Sequence, residues 1–174
     1  MRSIAYVGFG ANLGDPEETF YKAIEKIEAL ERVSLTEMSS LYKTDPVDLK
    51  DDGPEFLNAV FEIQTELTPF ELIYHLRKIE RSLGKNRCHK SDRSRKIDLD
   101  LLLFGDKSFS TKTLEVPHPR MNHRSFVLLP LVEIAPDVVH PGLNMTVKNM
   151  LDGLTPEEIN GVRFFKTAKR LKGT

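Results

Sequence analysis

The chain has 174 residues, of which 40% are hydrophobic and 29% charged, and its formal net charge is −1. This length fits one domain with a sizeable core, and the composition is ordinary for a soluble globular protein. The balanced charge lacks the positive field of most nucleic-acid binders, and no apolar run reaches the ~20 residues of a membrane helix. A single cysteine, Cys88, excludes an intrachain disulfide. With no signal-like N-terminus, we expect a monomer in the reducing cytoplasm, with neither a membrane nor a nucleic-acid partner.

The apolar pattern predicts alternating strands and helices. An apolar run predicts a strand at residues 4–9, and a turn then leads into a helix capped by Asp15, with Glu18 completing a capping box. Two further strands are predicted at residues 33–42 and 56–65. A second capping box opens the next helix, which Gly84 ends. Later helices are predicted near residues 125–135 and 147–151.

This βαββαβ order predicts an α+β fold with a ferredoxin-like core, in which an antiparallel sheet carries two helices on one face. The strand within residues 95–105 is apolar on both faces, so we expect the additional C-terminal helices to cover the other face. We expect a single domain over residues 1–174, in which the tail at 153–174 has no assignment.

Residues 95–105, Arg-Lys-Ile-Asp-Leu-Asp-Leu-Leu-Leu-Phe-Gly, are the most informative stretch of the chain. Strand side chains alternate between faces, so Asp98 and Asp100 point the same way. Two like charges within an apolar strand favour a cation between them, and Mg²⁺ prefers one or two carboxylates plus substrate phosphates. The alternative is an edge strand whose acidic side chains face water.

A basic segment precedes this strand, with six Lys or Arg among the twelve residues 85–96. Such a run is most often a solvated loop. Beside a metal-binding strand, however, it indicates phosphate binding and phosphoryl-type chemistry on a nucleotide.

Two other positions carry candidate polar groups. His118 lies between Pro117 and Pro119, which stiffen the backbone around the imidazole. Asn58 interrupts an apolar strand, where its amide could bind a flat heterocycle while Phe56 stacks on the ring. The structural alternatives are a histidine and an asparagine that only satisfy nearby backbone groups.

From about residue 3 to 152 the chain resembles the 6-hydroxymethyl-7,8-dihydropterin pyrophosphokinases of folate biosynthesis. The motifs that carry this resemblance are Gly10-x-Asn12-Leu13-Gly14-Asp15, Ser39-Ser40-Leu41-Tyr42-Lys43-Thr44, Phe56-Leu57-Asn58-Ala59-Val60, Ile79-Glu80-x-x-Leu83-Gly84, Arg95-x-Ile97-Asp98-Leu99-Asp100, Val116-Pro117-His118-Pro119-Arg120-Met121 and Arg124-x-Phe126-Val127-Leu128. The last three, together in this order, are specific to the family.

The resemblance implies transfer of pyrophosphate from ATP, the co-substrate, to the pterin hydroxymethyl group, with release of AMP. It implies that Asp98 and Asp100 hold two Mg²⁺ ions and, with Lys85 and Arg95, form the catalytic set. The implied pterin contacts are Thr44, Pro46, Val47, Phe56, Asn58 and Phe126. The implied ATP contacts are Glu80, Lys85, Arg87, Arg95, Leu101, His118 and Arg124.

The chain departs from the family pattern at two positions. Asp92 stands where the family often has tryptophan, and Lys85 stands where arginine is usual, which keeps the charge but loses bidentate geometry. Three other functions fit the fold: an RNA-binding ferredoxin-like domain, a nucleotide-binding module without catalysis, and a small-molecule kinase that releases ADP.

Overall fold

The structure, a computed structural model, describes residues 2–45, 53–85 and 96–169. The strands of these residues are β1 (Ser3–Ala11), β2 (Val33–Met38), β3 (Leu41–Thr44), β4 (Phe56–Thr65), β5 (Asp98–Phe104), β6 (Phe109–Ser110), β7 (Glu115–Val116), β8 (Val139–His140), β9 (Met145–Thr146) and β10 (Val162–Lys166). The helices are α1 (Pro16–Glu28), α2 (Pro69–Ser82), α3 (Ser125–Ile134), α4 (Val147–Asp152) and α5 (Pro156–Asn160), with a 3₁₀ turn at Met121–His123.

The main sheet has the strand order β10-β3-β4-β1-β5, and β2 pairs with the same edge of β4 as β3 does. All of its pairs are antiparallel, which confirms the predicted α+β class and antiparallel sheet. Strand β1 lies between β4 and β5, and Gly8 stands opposite Val60 on one side and Asp100 on the other. The two strands predicted to carry site residues, β4 and β5, therefore flank β1 on either side.

The helix ends follow from their local sequences. At the start of α1, the Asp15 side chain accepts the backbone N–H of Glu18 at 2.9 Å, while the Glu18 carboxylate pairs with Lys22. The predicted capping box of α2 is confirmed, with bonds in both directions between Thr68 and Glu71. Past the end of α2, Gly84 has a φ of +95°, a left-handed conformation that glycine adopts at little steric cost.

Apolar clusters cover both faces of the sheet. On one face, α1 and α2 pack side chains such as Phe20, Ile24 and Leu76 against the strands. On the other, α3 and α4 pack against β4 and β5 through residues that include Leu128 and Leu131. Helices α3 and α4 thus lie on the face where additional helices were expected. In the described residues, no helix is long and apolar enough to cross a bilayer.

The prediction of one strand at residues 33–42 is wrong. The chain leaves the sheet geometry at Ser39 and Ser40, whose polar groups bond outside the strand ladder. The Ser39 hydroxyl accepts the backbone N–H of Val60 at 2.9 Å, and the Ser40 backbone N–H and hydroxyl both donate to the Glu133 carboxylate on α3. The break therefore joins this edge of the sheet to α3. The predicted turn after residue 9 also begins late, because β1 continues to Ala11.

The segment left unassigned by sequence, residues 153–174, adds structure as far as residue 169. Helix α5 has its own capping box between Thr155 and Glu158. Strand β10 then pairs with β3, with Val162 opposite Thr44 and Phe164 opposite Tyr42. The C-terminal segment thereby becomes the outer strand beside β3.

The hairpin of β8 and β9 gives a pH-dependent prediction. His140 is 9% exposed, and its Nδ1 accepts the backbone N–H groups of Gly142 and Leu143, each at 3.1 Å. Burial lowers the pKa of this imidazole, so its contribution to stability is full above the usual histidine value of ~6.5 and is lost as pH falls below it. Asparagine also accepts such turn bonds but does not titrate. We expect urea unfolding between pH 7.5 and 5.5 to show a larger loss of stability for the parent protein than for His140→Asn. Equal losses would contradict this role of His140.

Candidate active site

A cavity of about 200 Å³ opens beside the centre of the sheet. Its walls come from β1, β3, β4, β5 and the first turn of α3. The lining residues are Gly8, Phe9, Gly10, Thr44, Asp45, Phe56, Asn58, Ala59, Asp98, Asp100, Leu102, Arg124, Phe126 and Val127. The structure thus brings to one cavity seven residues that the sequence singled out: Thr44, Phe56, Asn58, Asp98, Asp100, Arg124 and Phe126.

The two carboxylates reach this cavity because they alternate with Leu99 along β5, and Leu99 faces the core. Asp98 stands opposite Gly10 in the sheet, and Asp100 stands opposite Gly8. The Asp98 side chain is 13% exposed and that of Asp100 is 44% exposed. One carboxylate is therefore largely enclosed, whereas the other is open to an approaching ligand.

A cation already lies against the enclosed carboxylate. Lys85 Nζ is 2.6 Å from Asp98 Oδ1 and 2.9 Å from Glu80 Oε1. Glu80 Oε1 also accepts the backbone N–H of Leu99 at 2.7 Å. Burial favours a neutral Lys85 amine, but its bonds to the two carboxylates outweigh burial and raise the pKa of Lys85. Burial raises the pKa of Glu80. The hydrogen bonds from Leu99 and Lys85 act to lower this pKa, but burial outweighs them.

His118 lies at the open carboxylate, with Nε2 3.9 Å from Asp100 Oδ2. Its Nδ1 accepts the backbone N–H of Arg120 at 3.2 Å, which places the proton of a neutral ring on Nε2. Burial lowers the pKa of His118 and the nearby Asp100 charge acts in the opposite direction, with the lowering dominant. The ring therefore presents an N–H donor near the cavity mouth at neutral pH.

The end of the cavity away from the two carboxylates is lined by aromatic rings and by the side-chain amide of Asn58. The Asn58 side chain is 4% exposed, and its Nδ2 donates to Thr44 Oγ1 at 3.0 Å. Phe56 and Phe126 supply aromatic surface, and the Arg124 guanidinium carbon lies 5.5 Å from the centre of the Phe126 ring. Aromatic walls with a buried amide suit a flat heterocycle that carries donors and acceptors.

Seven lining residues were not predicted as site residues: Gly8, Phe9, Gly10, Asp45, Ala59, Leu102 and Val127. Gly8 and Gly10 were assigned no role beyond strand and turn, yet both line the cavity, and a Cβ on Gly10 would lie 3.6 Å from Asn58 Oδ1. Their spacing of two on an apolar strand is the signal that could have found them, because it leaves one face of β1 without side chains over this stretch. Asp45 also lines the cavity, and no local pattern marks it.

Some predicted site residues lie elsewhere. The Leu101 side chain is 2% exposed in the core on the α1 and α2 face, which is away from the cavity. Side chains alternate along β5, so Asp100 faces the cavity and Leu101 faces away from it. At Leu101, only backbone atoms could contact a ligand in the cavity. Pro46, Val47, Arg87 and Arg95 lie outside the described residues, as does Asp92.

The size of the cavity limits what it can enclose. Its volume of about 200 Å³ is below the ~300–1,000 Å³ of sites that enclose a drug-sized ligand. A volume of this size suits one small ring system, and Asp100, with His118 3.9 Å away, is the more exposed of its two carboxylates.

Residues 6–136, well over half of the chain, match the family model described as 7,8-dihydro-6-hydroxymethylpterin-pyrophosphokinase (HPPK). The chain belongs to the HPPK family. This confirms the resemblance found in the sequence, and it makes the chain an HPPK enzyme, a pyrophosphokinase of folate biosynthesis.

Curated relatives agree with the HPPK assignment. The chain is 44% identical over 138 residues to the 2-amino-4-hydroxy-6-hydroxymethyldihydropteridine pyrophosphokinase of Bacillus subtilis, covering 79% of this chain and 81% of that protein. It is 39% identical over 137 residues to the protein of the same name from Haemophilus influenzae, covering 79% and 84%. It is also 34% identical over 170 residues to the folic acid synthesis protein fol1 of Schizosaccharomyces pombe, of which it covers only 23%.

A solved structure shares the fold of this HPPK chain. The Plasmodium falciparum HPPK-DHPS protein, crystallised with pteroate, matches with a TM-score of 0.70 over 87% of this chain and 42% of that chain. The sequences are 14% identical in this match, so the likeness is one of fold.

Proposed function

We propose that this chain transfers pyrophosphate from ATP to the hydroxymethyl group of 6-hydroxymethyl-7,8-dihydropterin and releases AMP in a Mg²⁺-dependent reaction. One observation carries the proposal: Asp98 and Asp100 line the same cavity as Phe56, Asn58 and Phe126. A site for phosphate chemistry and a site for a flat ring are thus contiguous, as transfer between two bound substrates requires.

The residues of the cavity fit Mg²⁺. Asp98 and Asp100 offer carboxylate oxygens from one face of one strand, and Asp100 is open to ligands. Over the described ranges, no group of three or more His, Cys, Asp or Glu side chains is placed to hold a metal ion. A donor set of two carboxylates suits Mg²⁺, because waters and substrate phosphates usually supply its remaining ligands. We propose that these two residues hold two Mg²⁺ ions with the triphosphate, and bound Mg²⁺ supplies neutralisation of charge on the phosphate oxygens.

The reaction we propose is a single displacement. The hydroxymethyl oxygen attacks the β-phosphorus and loses its proton, while the bond from that phosphorus to the oxygen bridging the α-phosphate breaks, so AMP leaves. Positioning and electrostatics supply most of the acceleration in such transfers. Lys85 beside Asp98, the neutral N–H of His118 and the Arg124 guanidinium offer positive charge and donors to the phosphates. Arg87 and Arg95 belong to the same proposal, although they lie outside the described residues.

The pterin is proposed to bind between Phe56 and Phe126, with Asn58 and Thr44 at its hydrogen-bonding edge. The Asn58–Thr44 bond of 3.0 Å fixes the orientation of the buried amide before any ligand arrives. Pro46 and Val47 belong to the same proposal, although they lie outside the described residues. On the ATP side, Glu80 and the backbone of Leu101 are proposed to contact the nucleoside.

We also propose a ferredoxin-like classification for the core. The sheet order β5-β1-β4, followed by the edge shared by β2 and β3, together with α1 and α2 on one face, supports it.

Nucleotide analysis tests the proposed reaction directly. The protein is incubated with ATP, Mg²⁺ and 6-hydroxymethyl-7,8-dihydropterin, and the nucleotide and pterin products are separated and weighed by mass spectrometry. We expect AMP and a pterin that carries two added phosphates in equal amounts. ADP would identify a simple kinase, and ATP binding without turnover a nucleotide-binding module. RNA binding that persists in excess EDTA would favour an RNA-binding domain.

A further inference from the structure

Arg163 on β10 joins two carboxylates that lie far from it in sequence. Its Nη1 and Nη2 donate to the two carboxylate oxygens of Asp45, each at 3.0 Å. Nη2 also donates to Glu55 Oε1 at 2.5 Å. We call these three residues the Arg163 cluster. The guanidinium binds Asp45 in a bidentate fork, which fixes geometry more tightly than a single bond between point charges.

The two carboxylates mark the facing ends of neighbouring strands. Asp45 follows Thr44, the last residue of β3, and Glu55 precedes Phe56, the first residue of β4. Thr44 and Phe56 are themselves the last pair of the β3–β4 ladder. The Arg163 cluster therefore continues the connection between these strands one residue beyond the sheet.

Both strand ends belong to the cavity. Thr44, Asp45 and Phe56 all line it, and Thr44 accepts the hydrogen bond that orients Asn58. A change in the spacing of Asp45 and Glu55 would thus shift Thr44 on β3 relative to Phe56 and Asn58 on β4, and would disturb the bond that orients the amide. The proposed pterin end is the part of the cavity that this change would disturb, whereas Asp98 and Asp100 lie on β5, across β1 and β4 from β3.

Strand β10 provides a fixed support for Arg163. It pairs with β3 on either side of this residue, through Val162 with Thr44 and Phe164 with Tyr42. Lys166 at its end bonds to Glu17 on α1. A second cation, Lys43, lies 3.2 Å from Glu55 and 4.3 Å from the centre of the Phe165 ring. The backbone that carries Arg163 is thus fixed by strand pairing, and its guanidinium is fixed by the two carboxylates.

The ion pairs of the Arg163 cluster lie at the surface. The Arg163 side chain is 47% exposed, and exposed ion pairs add little to the free energy of unfolding. Hydrogen bonds from Arg163 lower the pKa of both Asp45 and Glu55, so both carboxylates stay ionised at neutral pH. Loss of Arg163 would remove the cation that joins the two carboxylates and would leave Glu55 paired with Lys43.

We propose that Arg163 is a positioning residue for the pterin end of the active site, acting by holding the ends of β3 and β4 at a fixed spacing. The identity of the ligand as a pterin rests on the proposed function. The role of Arg163 in holding the ends of β3 and β4 does not. Arg163 also lies beyond residue 136, where the match to the family model ends. The proposal therefore gives the C-terminal strand a part in substrate binding.

The test compares Arg163→Gln with Arg163→Lys and with a matched control, Arg2→Gln. Arg2 also makes an exposed ion pair, a single bond of 3.0 Å from Nε to Glu66, at the opposite end of β1 from Gly10. The measurements are kcat, the KM for the dihydropterin, the KM for ATP, and the Kd for 6-hydroxymethylpterin by fluorescence titration. For Arg163→Gln we expect the pterin KM and Kd to rise about fivefold, with kcat, the ATP KM and the midpoint of thermal unfolding close to the parent.

Two further variants separate positioning from a general structural effect. Arg163→Lys should recover part of the pterin affinity, because lysine keeps the charge without the fork. Adding Glu55→Gln to Arg163→Gln should cause less further loss than Glu55→Gln causes alone, since both act through one cluster. A pterin KM and Kd for Arg163→Gln equal to those of Arg2→Gln would overturn the proposal. A rise in the ATP KM equal to the rise in the pterin KM would also overturn it.

Amide hydrogen exchange tests the structural role of Arg163 independently of the proposed reaction. In the absence of substrates, Arg163→Gln should speed amide exchange at Thr44 and Phe56, and Arg2→Gln should not. If the parent protein forms no AMP and binds no pterin, the proposed function fails, while the exchange result still decides whether Arg163 fixes the strand ends. Unchanged exchange at both residues would refute that role.

Discussion

Asp98→Ala is expected to reduce the rate of AMP formation by about a thousandfold or more, because it removes one of the two carboxylates proposed to hold Mg²⁺ and orient the triphosphate. The fold should persist. Lys85, which pairs with Asp98 at 2.6 Å, keeps its 2.9 Å bond to Glu80, and Leu99 keeps its backbone bond to the same carboxylate. Initial rates at saturating ATP and pterin measure the effect.

Asp106→Ala is the matched control for this change. Asp106 lies in the exposed turn just after β5 and does not line the cavity, so its removal should leave turnover near that of the parent. Pterin binding by Asp98→Ala, followed by fluorescence, should stay close to the parent value and show that the other end of the cavity is intact. Turnover of Asp98→Ala comparable to that of Asp106→Ala would remove Asp98 from the proposed catalytic set.

Asn58→Leu is expected to weaken pterin binding by about ten- to a hundredfold, because a buried ligand loses one or two hydrogen bonds and keeps its polar groups unpaired. Asn58 is 4% exposed and is held by Thr44 at 3.0 Å, so its amide is oriented toward the cavity rather than mobile. Leucine has a similar volume and should preserve packing. The measurement is the Kd for 6-hydroxymethylpterin, with the ATP KM as an internal comparison.

Thr65→Val serves as the control on the same strand. Thr65 is 1% exposed at the far end of β4, where its hydroxyl donates to the backbone carbonyl oxygen of Arg32 and accepts the backbone N–H of Leu67. This variant also replaces a buried polar group with an apolar one, so it should lose stability without losing pterin affinity. Equal pterin affinities for Asn58→Leu and Thr65→Val would show that Asn58 does not contact the ring.

Local patterns were sufficient for three of the strands that build the cavity. The run at residues 4–9, the run at 56–65 and the acidic strand gave β1, β4 and β5, since each is an apolar stretch bounded by turn residues. The caps at Asp15 and Thr68 located the helices that cover one face. Two-residue alternation then sufficed to place Asp98 and Asp100 on one side of β5.

Long-range interactions explain what the sequence did not show. The break at Ser40 depends on Glu133, 93 residues away, and no local signal marks that pair. Strand β10, with the sequence Val-Arg-Phe-Phe-Lys, does not alternate, and it is a strand because β3 offers an edge. The buried position of Glu80 is set by the Leu99 backbone on another element, so its helix alone could not predict it.

The central position of β1 has a consequence for ligand recognition. Gly8 and Gly10 form part of the cavity floor on a strand that is hydrogen-bonded along both edges and packed on its other face against the α1 and α2 core. A surface built this way is preorganised, so the protein loses little conformational entropy there when a ligand binds. Affinity at this end should depend on shape match, so a ring system with one added substituent facing Gly10 would be rejected by contact with the backbone itself.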